Sequence, residues 1–483
     1  MRPFLKQPVL LMAVLILAIG LSATAQTAPP PAKVTAVEAK QASTPPPPPS
    51  SAEPWSEDWI KSIKEPVAWF KWGADLRLRD EYTNNLKKYT ADGVTLNKNS
   101  PYNETNYGRY RTRAWATVMP VPDVELNARA TWKFRTYCRP DILDLRDTNL
   151  DEVIWDNLNV KWKNVMGQPL TLTVGRQDLM FGDGWLVLDG TPLDGARTTF
   201  FDAIRGTYEI KDIQTTVDAV YIDQQADSDW LVEPYNDQER RLMEQDERGA
   251  ILWLTNKSLD KTEINAYYIY KNDMKTRDHT GTPADIHTYG ARVNKEFDKN
   301  WRARAEIAQQ LGHKDYTDIC AMGFNSRLSY FVNDELNNNF RLNYEYLSGD
   351  RPGTETNEQF DPLWGRWPQF SEALALLGFE GLPGETTNMH RVGPGWSISP
   401  IKDMEVLTDY HLLFCDQNTK AGTAGFSDSG CFRGQLLTTV LKYTFNPHMK
   451  GHLWGEYFFP GDYYTDLKND VGMFLRAELV FTW

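Results

Sequence analysis

The chain has 483 residues and a formal net charge of −13, with 24% charged residues beside 17 Trp, 22 Tyr and 21 Phe. So much aromatic surface excludes general disorder. The acidic balance argues against nucleic-acid binding, and only one N-terminal run approaches the about 20 apolar residues of a membrane helix.

A mean hydropathy of −0.53 beside that aromatic content fits two classes. One is a soluble globular protein. The other is a transmembrane β-barrel, apolar outside and polar within.

In chain order, the start reads as a secretory signal over residues 1–25. Arg2 and Lys6 precede the apolar run Val9 to Leu21, and Ala23-Thr24-Ala25 is a small-residue cleavage site. A signal anchor is the alternative, but the run is short for a span. Residues 26–66 form a linker rich in Pro and Ala, including Pro45 to Pro49, which cannot build a core. Trp55 to Glu65 reads as a short amphipathic turn at its end.

From residue 67 to 483 one pattern recurs: segments of about ten residues alternate apolar and polar side chains between Gly/Pro/Asn/Asp clusters. Leu76 and Leu78 alternate with Asp75, Arg77 and Arg79. Thr112, Ala114 and Ala116 alternate with Arg109, Arg111 and Arg113. Leu126, Ala128, Trp132 and Phe134 alternate with Arg129, Lys133 and Arg135. Later segments repeat it, with Ala303 and Ala305 against Arg302 and Arg304, and Leu342 and Tyr344 against Arg341 and Glu345. The pattern predicts an all-β fold of about 18 strands. A sandwich or propeller would also alternate. Strand length, aromatics at the ends of apolar faces and a last strand ending in Phe481 and Trp483 favour a transmembrane antiparallel barrel.

Arginine on a lipid face costs about 2–4 kcal/mol at the midplane, so these side chains must point inward. Arg77, Arg79, Arg109, Arg111, Arg113, Arg129, Lys133 and Arg135, joined by Arg302 and Arg304, then line a wet interior. Two roles are open. They form an anion-selecting constriction, or an ion-pair network with acids such as Asp75 and Glu345 that stiffens the wall.

Residues 351–389 are too many for a simple hairpin. They carry Trp364, Trp367 and Phe370 and a short helix-like run, and predict an extracellular lid or an inward-folded plug. Its aromatics stack on sugar rings or pack on one another. Cys415 and Cys431 flank a Gly/Ser-rich stretch that reads as a hairpin loop; they bridge as a disulfide or stay as thiols. No CxxC pair, HExxH, P-loop, GxSxG or dinucleotide fingerprint stands in context, so neither a metal site nor a cofactor is expected.

The stretch Val174 to Gly184, reading VGRQDLMFGDG, resembles the G-R-Q-x-L-x-x-G-D motif of the alginate-export outer-membrane porins. Phe201-Asp202-Ala203-Ile204-Arg205, then Ser348-Gly349-Asp350 with Phe360-Asp361-Pro362-Leu363, and Phe459 to Tyr463 are similar to later family segments, in order. The resemblance covers residues 70–483. It implies a monomeric 18-stranded barrel in the outer membrane, contacting lipid, with an electropositive conduit for export of a polyanionic polysaccharide such as alginate, and periplasmic export partners. Arg176, Asp178, Asp202 and Arg205 in these motifs read as one internal salt-bridge cluster near the constriction, or as a strand-turn packing motif. A general or small-anion porin is the alternative within the barrel. A secreted all-β enzyme acting on polysaccharide, with two carboxylates in catalysis, is the alternative outside it.

Overall fold

The computed structural model describes residues 56–483 apart from 90–102, 140–146, 149–151, 189–199, 228–230, 240–244, 275–281, 366–367, 369 and 378–385. The signal-peptide reading and most of the Pro-rich linker lie outside the described residues. The chain divides into two units, Met1–Pro66 and Val67–Trp483. In the first, α1 (Glu57–Lys64) is capped by Ser56, whose side chain accepts from the Trp59 N–H; Glu57 and Asp58 open it and Lys61 and Lys64 close it, as the helix dipole favours.

The second unit holds eighteen barrel strands: β1 (Phe70–Asn84), β2 (Glu104–Val121), β3 (Val124–Arg139), β4 (Val153–Trp162), β5 (Leu170–Gln177), β6 (Phe201–Ile210), β7 (Thr215–Gln224), β8 (Asp246–Asn256), β9 (Thr262–Met274), β10 (Ala284–Glu296), β11 (Trp301–Lys314), β12 (Thr317–Phe331), β13 (Asn339–Leu347), β14 (Met389–Ile398), β15 (Met404–Phe414), β16 (Phe432–Asn446), β17 (Met449–Pro460) and β18 (Gly472–Thr482). A two-residue strand, Asp147–Thr148, adds to β3. Every barrel strand pairs antiparallel with its neighbours, and β1 closes the sheet by pairing both β2 and β18 (Leu78↔Tyr110 and Leu78↔Leu479). Closure removes the open edges that would otherwise carry unpaired backbone groups.

Side-chain parity sorts the two faces. Along β1, Asp75, Arg77, Arg79, Glu81 and Thr83 are buried while Leu76 between them is exposed. Leu252, Leu254, Ile307, Phe340, Leu342 and Leu453 continue the exposed apolar band around the wall. A band that large belongs against lipid rather than water. Among the described residues no helix is long and apolar enough to cross a membrane; the strands do so.

The two rims differ. At one, strands join through short turns built on Asn and Asp in left-handed conformation, among them Asp123 (φ 66°), Asn333 (φ 60°) and Asp403 (φ 63°). In another of these turns the Asp298 carboxylate accepts from the Asn300 and Trp301 N–H groups at 2.7 Å each, and these bonds hold its carboxyl below the usual range. At the other rim the connections are mostly long, although β11 and β12 meet through Asp315 and Tyr316 alone. Two long connections fold back inside the barrel. Leu179, Phe181, Leu186 and Val187 from the first, and Phe360, Leu363, Trp364 and α2 (Glu372–Leu377) from the second, pack against inward Ile222, Ile251, Trp253, Ile269 and Ile286. The interior is therefore apolar where the loops meet β7 to β10.

Candidate functional site

The polar part begins at the short-turn rim. A cavity of about 800 Å³ opens there between β2 and β6. Alternation sets Arg113, Asn127, Arg129, Asn157, Asn159, Lys161, Thr171, Thr173 and Arg205 along its wall. Its amides are linked: Thr117 Oγ1 donates to Asn127 Oδ1 (2.7 Å), Asn127 to Asn159 (3.2 Å) and Asn159 to Asn157 (2.8 Å). Cations and carboxylates share the cavity: Arg113, Arg129, Lys161, Lys163 and Arg205 line it with Glu125, Asp178 and Glu209, while the buried Asp75, Asp156 and Asp218 pair with Arg113, Arg129 and Arg205 from behind. Lys163 pairs with Glu125 at 2.5 Å.

Above Arg113 a file of cations climbs the wall of β1, β2 and β3 toward the long loops. Cross-strand register puts Arg77 opposite Arg111 and Arg79 opposite Arg109, with Lys133 opposite Arg111 on the other side. Asp75, Glu81 and Glu478 are set among them. Arg113 Nε donates to Asp75 Oδ2 (2.8 Å), Arg79 Nε to Glu478 Oε2 (2.6 Å), and Arg476 Nε to Glu81 Oε1 (2.9 Å). Arg135 lies over the Tyr107 ring at 5.2 Å. Arg77, Arg79, Arg109, Arg111 and Lys133 are all buried, so this file is a packed wall of ion pairs rather than an open lining. Arg302 stands apart from it: half exposed at the short-turn rim, it pairs with Glu296 at 3.1 Å, so it does not join the narrow part of the lumen.

The motif residues separate into three pairs instead of one cluster. Arg129 grips Asp178 with both terminal nitrogens (2.9 and 2.8 Å) and also reaches Asp156 (2.8 Å). Arg205 pairs with Asp218 (2.9 Å) and borders the cavity. Arg176 pairs with Asp202 (2.8 and 3.0 Å) on the opposite phase, in line with Leu172, Val174 and Leu158. The conduit reading of Arg176 and Asp202 is thus corrected. Phe200 covers the pair, its ring 3.9 Å from the guanidinium carbon, which removes it from both lumen and lipid.

Beyond Asp178 the chain crosses the lumen. Gly182 (φ 57°) passes so close to Arg292 that a Cβ would lie 3.2 Å from its side chain. Asp183 then accepts from Arg292 NH2 (3.1 Å) and Arg304 NH1 (2.5 Å), and Trp185 Nε1 donates to Glu345 (3.0 Å). A second cavity of about 350 Å³ lies beside this crossing, toward β11 to β14.

The long loop is the inward-folded plug of the two forms expected, but its aromatics face protein. Trp364 sits in the space over Gly249, donates Nε1–H to Glu247 (2.9 Å) and meets Phe201 edge-on at 5.9 Å. It is 7% exposed, so the sugar-stacking role does not fall to it. Trp367 lies outside the described residues. Glu456 on β17 anchors the plug: it accepts from Ser371 Oγ (2.5 Å), from the Glu372 and Ala373 N–H groups (2.7 and 3.1 Å) and from Thr438 Oγ1 (3.1 Å).

Cys415 and Cys431 are not joined by a disulfide. The base of their loop is closed by the backbone, Cys415 N–H to Cys431 carbonyl at 2.8 Å, and both side chains pack on the interior apolar cluster. Among the described residues no group of acidic, His or Cys side chains could hold a metal ion.

Trp185, Arg292 and Glu456 went unread in the sequence, and Asp183 was read only as a motif position, since each matters through a contact distant in the chain. One signal was present. Ala250 to Leu254 is apolar on both phases, the mark of a strand covered on both sides.

A closed antiparallel barrel with an apolar girdle, a polar interior and inward-folded loops is a porin-like outer-membrane channel. The chain matches the alginate export family over residues 68–475, and it belongs to that family. No curated protein matches it in sequence. Among solved structures it is similar to Pseudomonas aeruginosa OccK2 (OpdF) in complex with glucuronate, at a TM-score of 0.52 and 10% identity over 86% of this chain and 97% of that one. It is also similar to OccK5 (OpdH) of the same organism, at 0.50 and 12% over 85% and 97%. For P. aeruginosa OpdK with vanillate the values are 0.50 and 11% over 85% and 99%. At such identities the likeness is one of fold.

Proposed function

We propose that this barrel gives passive, anion-selective passage across the outer membrane to a polyanionic saccharide of the alginate class, with no chemical step. The short-turn rim faces the periplasm, as in outer-membrane barrels generally. The observation that carries this reading is the lining of the large cavity, where five basic side chains reach the surface beside linked amides and threonine hydroxyls while several of their paired carboxylates stay buried behind them. Guanidinium and ammonium groups favour carboxylates, while amides and hydroxyls exchange hydrogen bonds with sugar hydroxyls. The file of cations from Arg113 to Arg79 would extend the favourable potential toward the long loops.

A second reading, a porin for small anions such as single uronates, draws on the two inward loops. They fill part of the lumen, which obstructs a polymer more than a small solute. The glucuronate complex of OccK2 shows that a similar barrel holds such a solute.

Planar-bilayer recording with added oligouronates and monouronate tests both. Anion preference with block by the oligomer supports polymer passage. Current carried by monouronate with no block by the oligomer supports the small-solute reading, and cation preference overturns both.

A further inference from the structure

The cavity beside the crossing segment has a different chemistry from the large one. Few of its lining groups are hydroxyls or amides. One side is apolar, formed by Met180, Leu347, Pro362, Pro368 and Phe370. The other side is ionic, and there the carboxylates are already engaged. Glu345 accepts from Trp185 Nε1 (3.0 Å), Asn325 Nδ2 (3.1 Å) and Arg391 Nε (3.0 Å). Asp183 is held by Arg292 and Arg304, and Glu306 accepts from the Tyr267 hydroxyl at 2.9 Å.

Arg327 is the exception among these groups. Its Nε donates to Asn343 Oδ1 at 2.7 Å, and among the described residues no carboxylate lies within ion-pair distance of it. Its terminal nitrogens therefore offer a two-pronged donor edge at the cavity wall, a geometry that matches a carboxylate. Arg391 does not offer the same edge, because its Nε goes to Glu345, its Nη1 to His411, and its guanidinium carbon lies 3.8 Å over the Phe370 ring.

The geometry points to a binding site for a small monocarboxylate with a flat apolar body, of the arenecarboxylate class, its carboxylate on Arg327 and its body against Leu347, Pro362 and Phe370. About 350 Å³ accommodates one such molecule and excludes a polymer. A polyhydroxylated anion fits poorly, since its hydroxyls would lose water against the apolar side without gaining partners. The site is independent of the saccharide reading, and either can fail alone.

Calorimetric titration of the detergent-solubilised full chain with benzoate tests it, with acetate and benzamide as probes lacking the apolar body or the charge. Saturable benzoate binding is expected, weaker by roughly tenfold or more for acetate, for benzamide and in Arg327→Met. Leu347→Trp, which fills the apolar side, provides a second variant that leaves the guanidinium in place and should abolish binding. Heat-modifiable gel migration identifies the folded variants. Absence of benzoate binding in the wild type overturns the proposal. So does glucuronate displacing bound benzoate with an affinity equal to benzoate's own, or unchanged benzoate affinity in whichever variant folds.

Discussion

Arg176 and Asp202 face each other across β5 and β6 in a two-pronged ion pair, 2.8 and 3.0 Å long, on the phase of the wall that otherwise carries Leu, Ile and Val. The guanidinium also donates to the Trp155 carbonyl at 2.9 Å, and both side chains are buried beneath Phe200. Such a pair specifies an arrangement more than it stabilises one, because desolvation offsets most of the attraction. Removing one partner leaves an uncompensated buried charge. Arg176→Leu or Asp202→Leu alone should cost about 3–5 kcal/mol, and the double change to Leu should recover most of the loss. Urea unfolding in detergent micelles, followed by gel migration, measures all three. Equal losses in the single and double variants would count against the pairing.

How far the sequence foretold this molecule follows from what alternation can and cannot encode. Parity placed Arg77, Arg79, Arg109 and Arg111 on the inner face, because an arginine in lipid costs too much for the opposite phase. The conduit placement of Arg176 and Asp202 came instead from the motif resemblance, and it failed because the pair is covered by a loop residue, Phe200, that neither motif nor periodicity locates. Parity also could not tell an open lining from a packed one. That depends on carboxylates brought in from far along the chain, such as Glu478 to Arg79. The length of residues 351–389 announced an unusual loop, but the seat of Trp364 over Gly249 is set by the three-dimensional approach of β8.

Glu456 joins wall to plug, and its loss should loosen the plug without breaking the barrel. Its oxygens are the acceptors for Ser371 Oγ and for two N–H groups at the start of α2. Each donor left unpaired costs about 1–3 kcal/mol, enough to raise the undocked population by one or more orders of magnitude. Glu456→Ala should increase single-channel conductance and add slow steps between levels in bilayer recordings. A trace matching the wild type would place the plug under other control.

Asp416 ties two loops at the long-loop rim. Its carboxylate accepts from the Gly349 N–H at 2.9 Å and meets His390 at 3.4 Å. Partial burial raises its pKa, but the bonds from His390, Gly349 and Gln417 outweigh this and hold it below the ordinary value. A lowered folded-state pKa means that the stabilisation is complete above the unfolded value of about 3.9 and is lost as pH falls through the folded one. Loop contacts should therefore persist through mild acid and loosen only below about pH 4. Limited proteolysis with an acid-active protease should show rising cleavage there. Asp416→Asn should show loosened loops at neutral pH, and identical profiles for both proteins would remove Asp416 from this role.

Asp183 is the anionic point of the crossing segment, set against Arg292 and Arg304. Arg292 retains Glu263 at 2.8 Å and Asn265 at 2.9 Å if Asp183 is neutralised, whereas Arg304 has no other carboxylate within ion-pair distance among the described residues. Asp183→Asn therefore exposes one additional uncompensated guanidinium to the lumen, because Arg304 is partly open there. If ions pass this segment, the reversal potential in a potassium chloride gradient should move toward that of chloride. The charge acts through solution, so the shift should be clear at about 0.1 M salt, where the screening length is ~10 Å, and shrink toward 1 M, where it is ~3 Å. A shift of the same size at both concentrations would indicate a rearranged loop rather than a field effect. An unchanged potential at the lower concentration would place the ion path away from Asp183, through the large cavity alone.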